Sequence, residues 1–306
     1  MIGTNRWRVV PAGIVAIFAI AVSLISPANA STPLDNLYDS VASDLRAGKP
    51  LVIQVHVPLC ERSIIPCGNH KLGDGNNPDT NLYWSTSGGF KRWFHPRRGW
   101  KLVHTRKNPH DHILETRIWK KRISPNSTWR KRGVSSPFHV YVVTNAWRGT
   151  SISTAIDRYV YDLYGSQPVP IQLKSGAVVN AGGAAHIVAY VGHNGWMDIP
   201  PYDWKHAETI GDSKIKGTIA VACLTAAYLA APLTNPKRVP LLMTTSLLFA
   251  GAHSFEGAVT AFAKGQSLRR IRQQAAANYA QGQGKSIRRV QGAFTNPSDK
   301  RWRRYF

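Results

Sequence analysis

Acidic residues and cysteine are what this chain of 306 residues has little of: 16 Asp+Glu stand against 39 Lys+Arg, and there are three cysteines. The shortage of acid leaves a formal net charge of +23, which points to anionic partners such as nucleic acid, phospholipid headgroups or polyanionic envelope polymers. No fixed-period repeat and no Ser- or Pro-rich linker divides the chain, so neither a repeat array nor two separate halves is expected. Gly73-Asp74-Gly75 falls short of a nucleotide-binding loop, because the phosphate-loop Lys and the G-x-G-x-x-G spacing are both missing. It reads as a turn. With 43% apolar residues the chain is able to bury a full core and is not intrinsically disordered.

Arg6 and Arg8 precede an uncharged stretch, 12–24, followed by Pro27-Ala28-Asn29-Ala30. This is the pattern of a secretory signal over 1–30, with an A-x-A cleavage site after Ala30. The apolar stretch of 13 residues is short of the roughly 20 that a membrane-spanning helix needs, and no Cys near the cleavage site suggests a lipid anchor. The expectation is an exported protein, periplasmic or extracellular. Without the two signal arginines the charge is +21, and it is regional. Segment 91–133 carries 14 basic and two acidic residues, segment 269–306 ten and one, and the remainder of the mature chain 13 of each sign.

In an exported protein, Cys60 and Cys67 lie close enough in one Pro/Gly-containing loop to form a disulfide, which leaves Cys223 over. An odd cysteine is a buried small apolar residue, an intermolecular bridge or a reactive thiol. A metal site built from Cys60, Cys67 and His70 matches no common zinc spacing.

The stretch 51–57 is rich in β-branched residues and bounded by Pro50 and Pro58, as a buried strand is. Further strand-like runs are 138–144, 186–191, 218–222 and 241–244. Helical patterns occupy 34–46, 81–94, 151–164, 224–231, 251–264 and 267–280. Apolar strands alternating with helices imply an α/β fold in three layers, a mainly parallel sheet covered by helices on both sides. The simplest organisation is a single α/β domain over 31–268, with a basic Trp-containing insertion at 91–133 and a basic C-terminal helix and tail over 269–306. A membrane hairpin is the competing reading of 217–236 and 239–255, which contain no charged residue. Their Thr, Asn, Pro and His content, and a natural break of each into strand and helix, favours buried parallel strands.

The strongest local signal is an apolar strand ending in a polar turn, His193-Asn194-Gly195, followed thirty residues after His193 by a second that ends Ala222-Cys223. If the two strands are parallel neighbours, His193 and Cys223 emerge on one edge of the sheet, where functional loops collect. A free thiol, with a pKa of about 8.5, is mostly protonated at neutral pH, so a nucleophilic cysteine needs a nearby imidazole or positive field. A helix beginning at Leu224 would add its positive end, and Gly195 with the Cys223 amide would supply oxyanion donors.

This pattern resembles the caspase-like cysteine peptidases, the group of caspases, legumain, gingipains and separase. In that family a hydrophobic strand ends in a His-Gly motif and a later one in an Ala-Cys motif. The matching residues are His193 with Gly195 and Ala222 with Cys223, within about forty residues of the chain. The resemblance implies a caspase-like fold, His193 as general acid/base, Cys223 as nucleophile, a peptide or protein substrate and no cofactor. Asn194 is an extra residue where the family has His followed directly by Gly.

On the same edge, Asp198 is placed to orient His193, and Asn145 and Arg148 are placed to bind substrate, Arg148 through a carboxylate. His110-Asp111-His112 with His104 is a rival metal cluster, but its basic surroundings oppose a cation, and no metal is expected. A second functional class remains open: a non-catalytic cell-envelope protein that binds anionic lipid or glycan through its basic aromatic segments, with Cys223 as packing. Segment 91–133 interleaves Trp93, Trp100, Trp119 and Trp129 with its cations, and the tail ends Arg301-Trp302-Arg303-Arg304-Tyr305-Phe306. Such residues either contact lipid or glycan or pack into the core behind a solvated face. Export makes nucleic acid an unexpected partner.

Overall fold

Residues 31–209, 211, 212 and 214–306, with residues 1 and 3, are described by the computed structural model. The expected signal segment otherwise lies outside the described residues.

Helix α1 (Pro33–Arg46) begins at Thr32, whose Oγ1 accepts the Asp35 N–H at 3.2 Å, with Pro33 at the first helical position. Strand β1 (Leu51–Pro58) follows, buried along its whole length. A short helix α2 (Phe90–Trp93) leads into a hairpin of β2 (Lys101–His110) and β3 (Ile113–Ile123). After α3 (Ser127–Arg130) come β4 (Phe138–Trp147), α4 (Ile152–Leu163) and a ribbon of β5 (Pro168–Gln172) and β6 (Val178–Gly182). The chain continues through β7 (Ile187–Val191), α5 (Trp204–Thr209), β8 (Lys216–Val221), α6 (Thr225–Leu229) and β9 (Arg238–Thr244). Helices α7 (Ala252–Ala263), α8 (Leu268–Gly282) and α9 (Ile287–Val290) and strand β10 (Phe294–Thr295) complete it.

The main sheet has the order β10-β9-β8-β7-β1-β4-β3-β2. Strands β4, β1, β7, β8 and β9 run parallel, while β3, β2 and β10 are antiparallel additions at the two edges. Alternate side chains divide the core. Ile53, Val55, Ile187, Ala189, Ile219 and Val221 pack with α1, α7 and α8 on one face, and Val188, Tyr190, Ala220 and Ala222 pack with α4 and α6 on the other. The fold is thus α/β, a mostly parallel mixed sheet between helical layers. The chain leaves β1 toward β4 and returns to β7 on the other side, so the topological switch lies between β1 and β7, at the edge where ligand sites of open sheets form. There the two exits touch: a Cβ on Gly192 would lie 2.9 Å from the Pro58 carbonyl oxygen.

Several expectations change. The helix expected over 81–94 shrinks to Phe90–Trp93, because the buried Asn81 accepts the Cys60 and Tyr83 N–H groups at 3.1 Å and donates to the Cys60 carbonyl at 2.8 Å. The strand expected to end at residue 144 continues to Trp147, because β4 pairs with β1 up to Trp147↔Pro58. The two uncharged stretches hold β8, β9 and helices, and no helix among the described residues is long and apolar enough to cross a membrane. Segment 91–133 supplies β2 and β3, which extend the sheet beyond β4. The tail is built into the same unit, with β10 paired to β9 through Phe294↔Thr244.

Candidate active site

Strands β7 and β8 are parallel neighbours in register, ending at Val191↔Val221. His193 and Cys223 each lie two residues beyond that pair, so both leave the sheet at its carboxyl edge. The loops that carry them are joined. Gly192 N–H donates to the Val221 carbonyl at 3.1 Å, and the fully buried Asn194 donates from Nδ2 to the Cys223 carbonyl at 2.5 Å. The Asn194 Oδ1 also accepts the Trp196 N–H at 3.2 Å, which caps the short turn Gly195–Met197.

His193 is held on both sides of its backbone and ring. Its carbonyl accepts the Tyr190 hydroxyl at 2.7 Å, and its Nε2 meets Asp198 Oδ2 at 2.5 Å. The Asp198 side chain is 44% exposed against 11% for His193, so the carboxylate approaches the ring from the solvent side. An Nε2–H donated to Asp198 leaves Nδ1 as the basic nitrogen.

Cys223 is half-buried and the only free cysteine. Its Sγ–H donates to the Leu248 carbonyl at 3.8 Å. Among the described residues its amide N–H has no acceptor. The next residue, Leu224, has φ 54° and ψ 28°, the left-handed region that side chains with a branched body rarely occupy. That turn is held by Leu224 N–H to the Ser246 carbonyl at 3.2 Å, while the buried hydroxyls of Thr225 and Thr244 bond each other at 2.9 Å behind it. Helix α6 is one turn long, so the helical field expected at Cys223 is small. Burial pushes the Tyr83 and Tyr279 phenols up, and the charge of a Cys223 thiolate adds to the shift.

The other expected site residues fall elsewhere. Gly195 donates its N–H to the His193 carbonyl at 3.1 Å, and a Cβ there would lie 2.8 Å from side-chain carbons of Ile152 and Ile156. It packs the turn against α4, so of the two expected oxyanion donors only the Cys223 amide lacks an acceptor among the described residues. Asn145 lies inside β4, on a face of the sheet rather than after the strand, and its Oδ1 accepts from Thr116 at 2.8 Å. Arg148 is at the carboxyl edge, but it follows β4, three strands from β8, or about 14 Å at ordinary strand spacing. Its guanidinium bonds Asn76 and its N–H the His112 carbonyl. Cys60 and Cys67 sit at disulfide distance, with Cα atoms 6.1 Å apart, in the loop after β1. Among the described residues no group of three metal-ligating side chains converges; the His110 and His112 rings lie 5.6 Å apart and tilted, and His112 bonds Ser151. Trp93, Trp100, Trp119 and Trp129 are all buried, with Trp100 Nε1 donating to Glu256 and Trp129 Nε1 to the Ala263 carbonyl.

Sequence reasoning singled out His193, Cys223 and Asp198 but passed over Asn194 and Tyr190. Asn194 carried a signal, as the one residue that interrupts the His-Gly motif. Comparison with family models, with curated proteins and with solved structures finds no match to this chain.

Proposed function

We propose that this is an exported cysteine hydrolase of caspase-like architecture, acting on peptide or amide bonds at the β7–β8 edge. The observation that carries the reading is the junction of the two loops: in-register parallel strands deliver His193 and Cys223 to one edge, and Asn194 ties one loop to the other. Asp198 orients the imidazole. The Cys223 thiol leaves its contact with the Leu248 carbonyl and passes its proton to His193. The thiolate then adds to the scissile carbonyl, and the Cys223 amide donates to the oxyanion. His193 returns the proton to the leaving amine, giving an acyl-enzyme and a free amine; water, deprotonated by the same imidazole, releases the acid.

The alternative reading, an envelope protein that binds anionic lipid or glycan, loses the tryptophans of 91–133, which are core residues, while in the tail Trp302 is buried and Phe306 is exposed. Binding by segment 91–133 rests on its cations. A library of fluorogenic peptides tests the hydrolase reading: turnover by the wild type that Cys223→Ala abolishes and His193→Ala reduces by at least about a hundredfold supports it. Absence of turnover across the library rejects it.

A further inference from the structure

A concavity lies on a face of the sheet. The face of β1 and β7 is covered by α4, and the β5–β6 ribbon covers the amino-terminal half of β4 through Tyr141, Val143, Val179 and Ala181. Between these covers the sheet is bare over β2, β3 and the end of β4, and a cleft of about 730 Å³ opens there. That volume is in the range of pockets that enclose a small organic ligand.

Its floor carries a row of polar side chains set by the strand register. Arg106 on β2 pairs with Thr116 on β3, and Thr116 pairs with Asn145 on β4. Lateral partners in a sheet point to the same face and stand about 4.8 Å apart, so these three side chains form one line across the cleft. Thr116 donates its hydroxyl to Asn145 Oδ1 at 2.8 Å, which turns Asn145 Nδ2 outward. Among the described residues neither Nδ2 nor the Arg106 guanidinium has a partner.

Two acids line the cleft, and one of them, Asp162, is ion-paired. Asp162 pairs its Oδ2 with His56 Nε2 at 3.1 Å, and its buried Oδ1 stands 2.9 Å from Arg158 Nε as an ion pair without a hydrogen bond, while Arg158 donates to the Gln167 carbonyl at 2.9 Å. On the floor itself the free groups are donors, Arg106 and Asn145 Nδ2, with His104 beside them on β2. The apolar part of the lining is chiefly Val143, Ile171, Val169 and Trp147, and polar groups such as Gln54 and Tyr161 complete it.

We infer that this cleft is a binding site for an organic carboxylate with an apolar body, its carboxylate held between the Arg106 guanidinium and Asn145 Nδ2 above Thr116. A guanidinium presents paired donors to a carboxylate, and an apolar tail covers the hydrophobic wall. The site is independent of the Cys223 edge. Such a carboxylate comes from a free fatty acid or from the C-terminus of a peptide ending in an apolar residue.

Isothermal titration of the whole protein with decanoate and with N-acetyl-leucyl-phenylalanine tests the inference, with N-acetyl-leucyl-phenylalaninamide as the uncharged analogue. At least one acid binds, the amide binds at least about tenfold more weakly than its acid if the peptide arm is the ligand, and Arg106→Gln weakens the bound acid at least about tenfold. Arg130→Gln, an exposed cation on α3, leaves the affinity unchanged. Binding of decanoate alone assigns the site to fatty acids, and binding of the peptide acid alone to a C-terminus. No binding of either acid at millimolar concentration, or equal binding to Arg106→Gln, overturns the inference. Arg106 is exposed and unpartnered, so its replacement is not expected to disturb folding.

Discussion

Asn194 holds the two loops of the candidate site together, by donating to the Cys223 carbonyl while accepting the Trp196 amide. Asn194→Ala leaves a part-buried carbonyl and a buried amide without these partners, at a cost of about 1–3 kcal/mol each where they stay dry. A loss of roughly 2 kcal/mol or more in a urea titration is expected, together with slower alkylation of Cys223. Full stability with unchanged labelling would show that the loops are held by other contacts. In the sequence, the residue types at His193 and Cys223 were informative because a thiol at a strand end has a defined chemical need. Asn194 was legible only as an interruption, since its partner lies 29 residues away and becomes apparent with the β7–β8 register. Gly195 illustrates the opposite failure: glycine in a turn serves close packing as readily as substrate approach, and here it fits against Ile152 and Ile156.

At the scale of elements, the parallel strands were readable because burial on both faces leaves uninterrupted β-branched runs. The hairpin β2–β3 was not, since β2 is exposed along most of its length and alternates cations with polar residues. β2 is also the free edge of the main sheet, and lysines on such an edge oppose pairing with another chain. Lys101→Val with Lys107→Val is expected to bring concentration-dependent self-association, measured by light scattering, where the wild type shows less. At the other edge, β10 escaped notice because it has two residues, yet Phe294 is fully buried and its ring meets Tyr279 at 5.4 Å. Phe294→Ala is expected to cost about 3–5 kcal/mol in chemical denaturation. A cost below about 1 kcal/mol would mean that the tail is not part of the core.

For the whole molecule, the regional charge and the core are two sides of the same segments. The tryptophans of 91–133 point inward and most of the cations outward, so basicity there is compatible with a packed sheet edge. Stability responds to acid in two stages. Burial, with Arg98 nearby, pushes the His253 imidazole down from 6.5 to about 4, and burial also lowers His56 against the pull of Asp162. The unfolded chain therefore takes up protons that the fold refuses, and stability falls as pH drops from about 6.5 toward 4, by about 3 kcal/mol for His253 alone. Below about 4, carboxylates held down in the fold contribute the second stage: Asp44, lowered first by its hydrogen bond from His186 and then by Lys49, loses its contribution as it protonates. Denaturation at pH 7.5, 5.5 and 4.2 checks the first stage, because His253→Asn should flatten it. An unchanged slope would contradict the assignment.

The central claim is that Cys223 and His193 act on each other as nucleophile and base, and alkylation kinetics test it most directly. Iodoacetamide should label Cys223 of the native protein at pH 7 at least about tenfold faster than the His193→Ala variant, with both proteins folded by circular dichroism. Equal rates in the two proteins, or no labelling of the folded wild type, would contradict it.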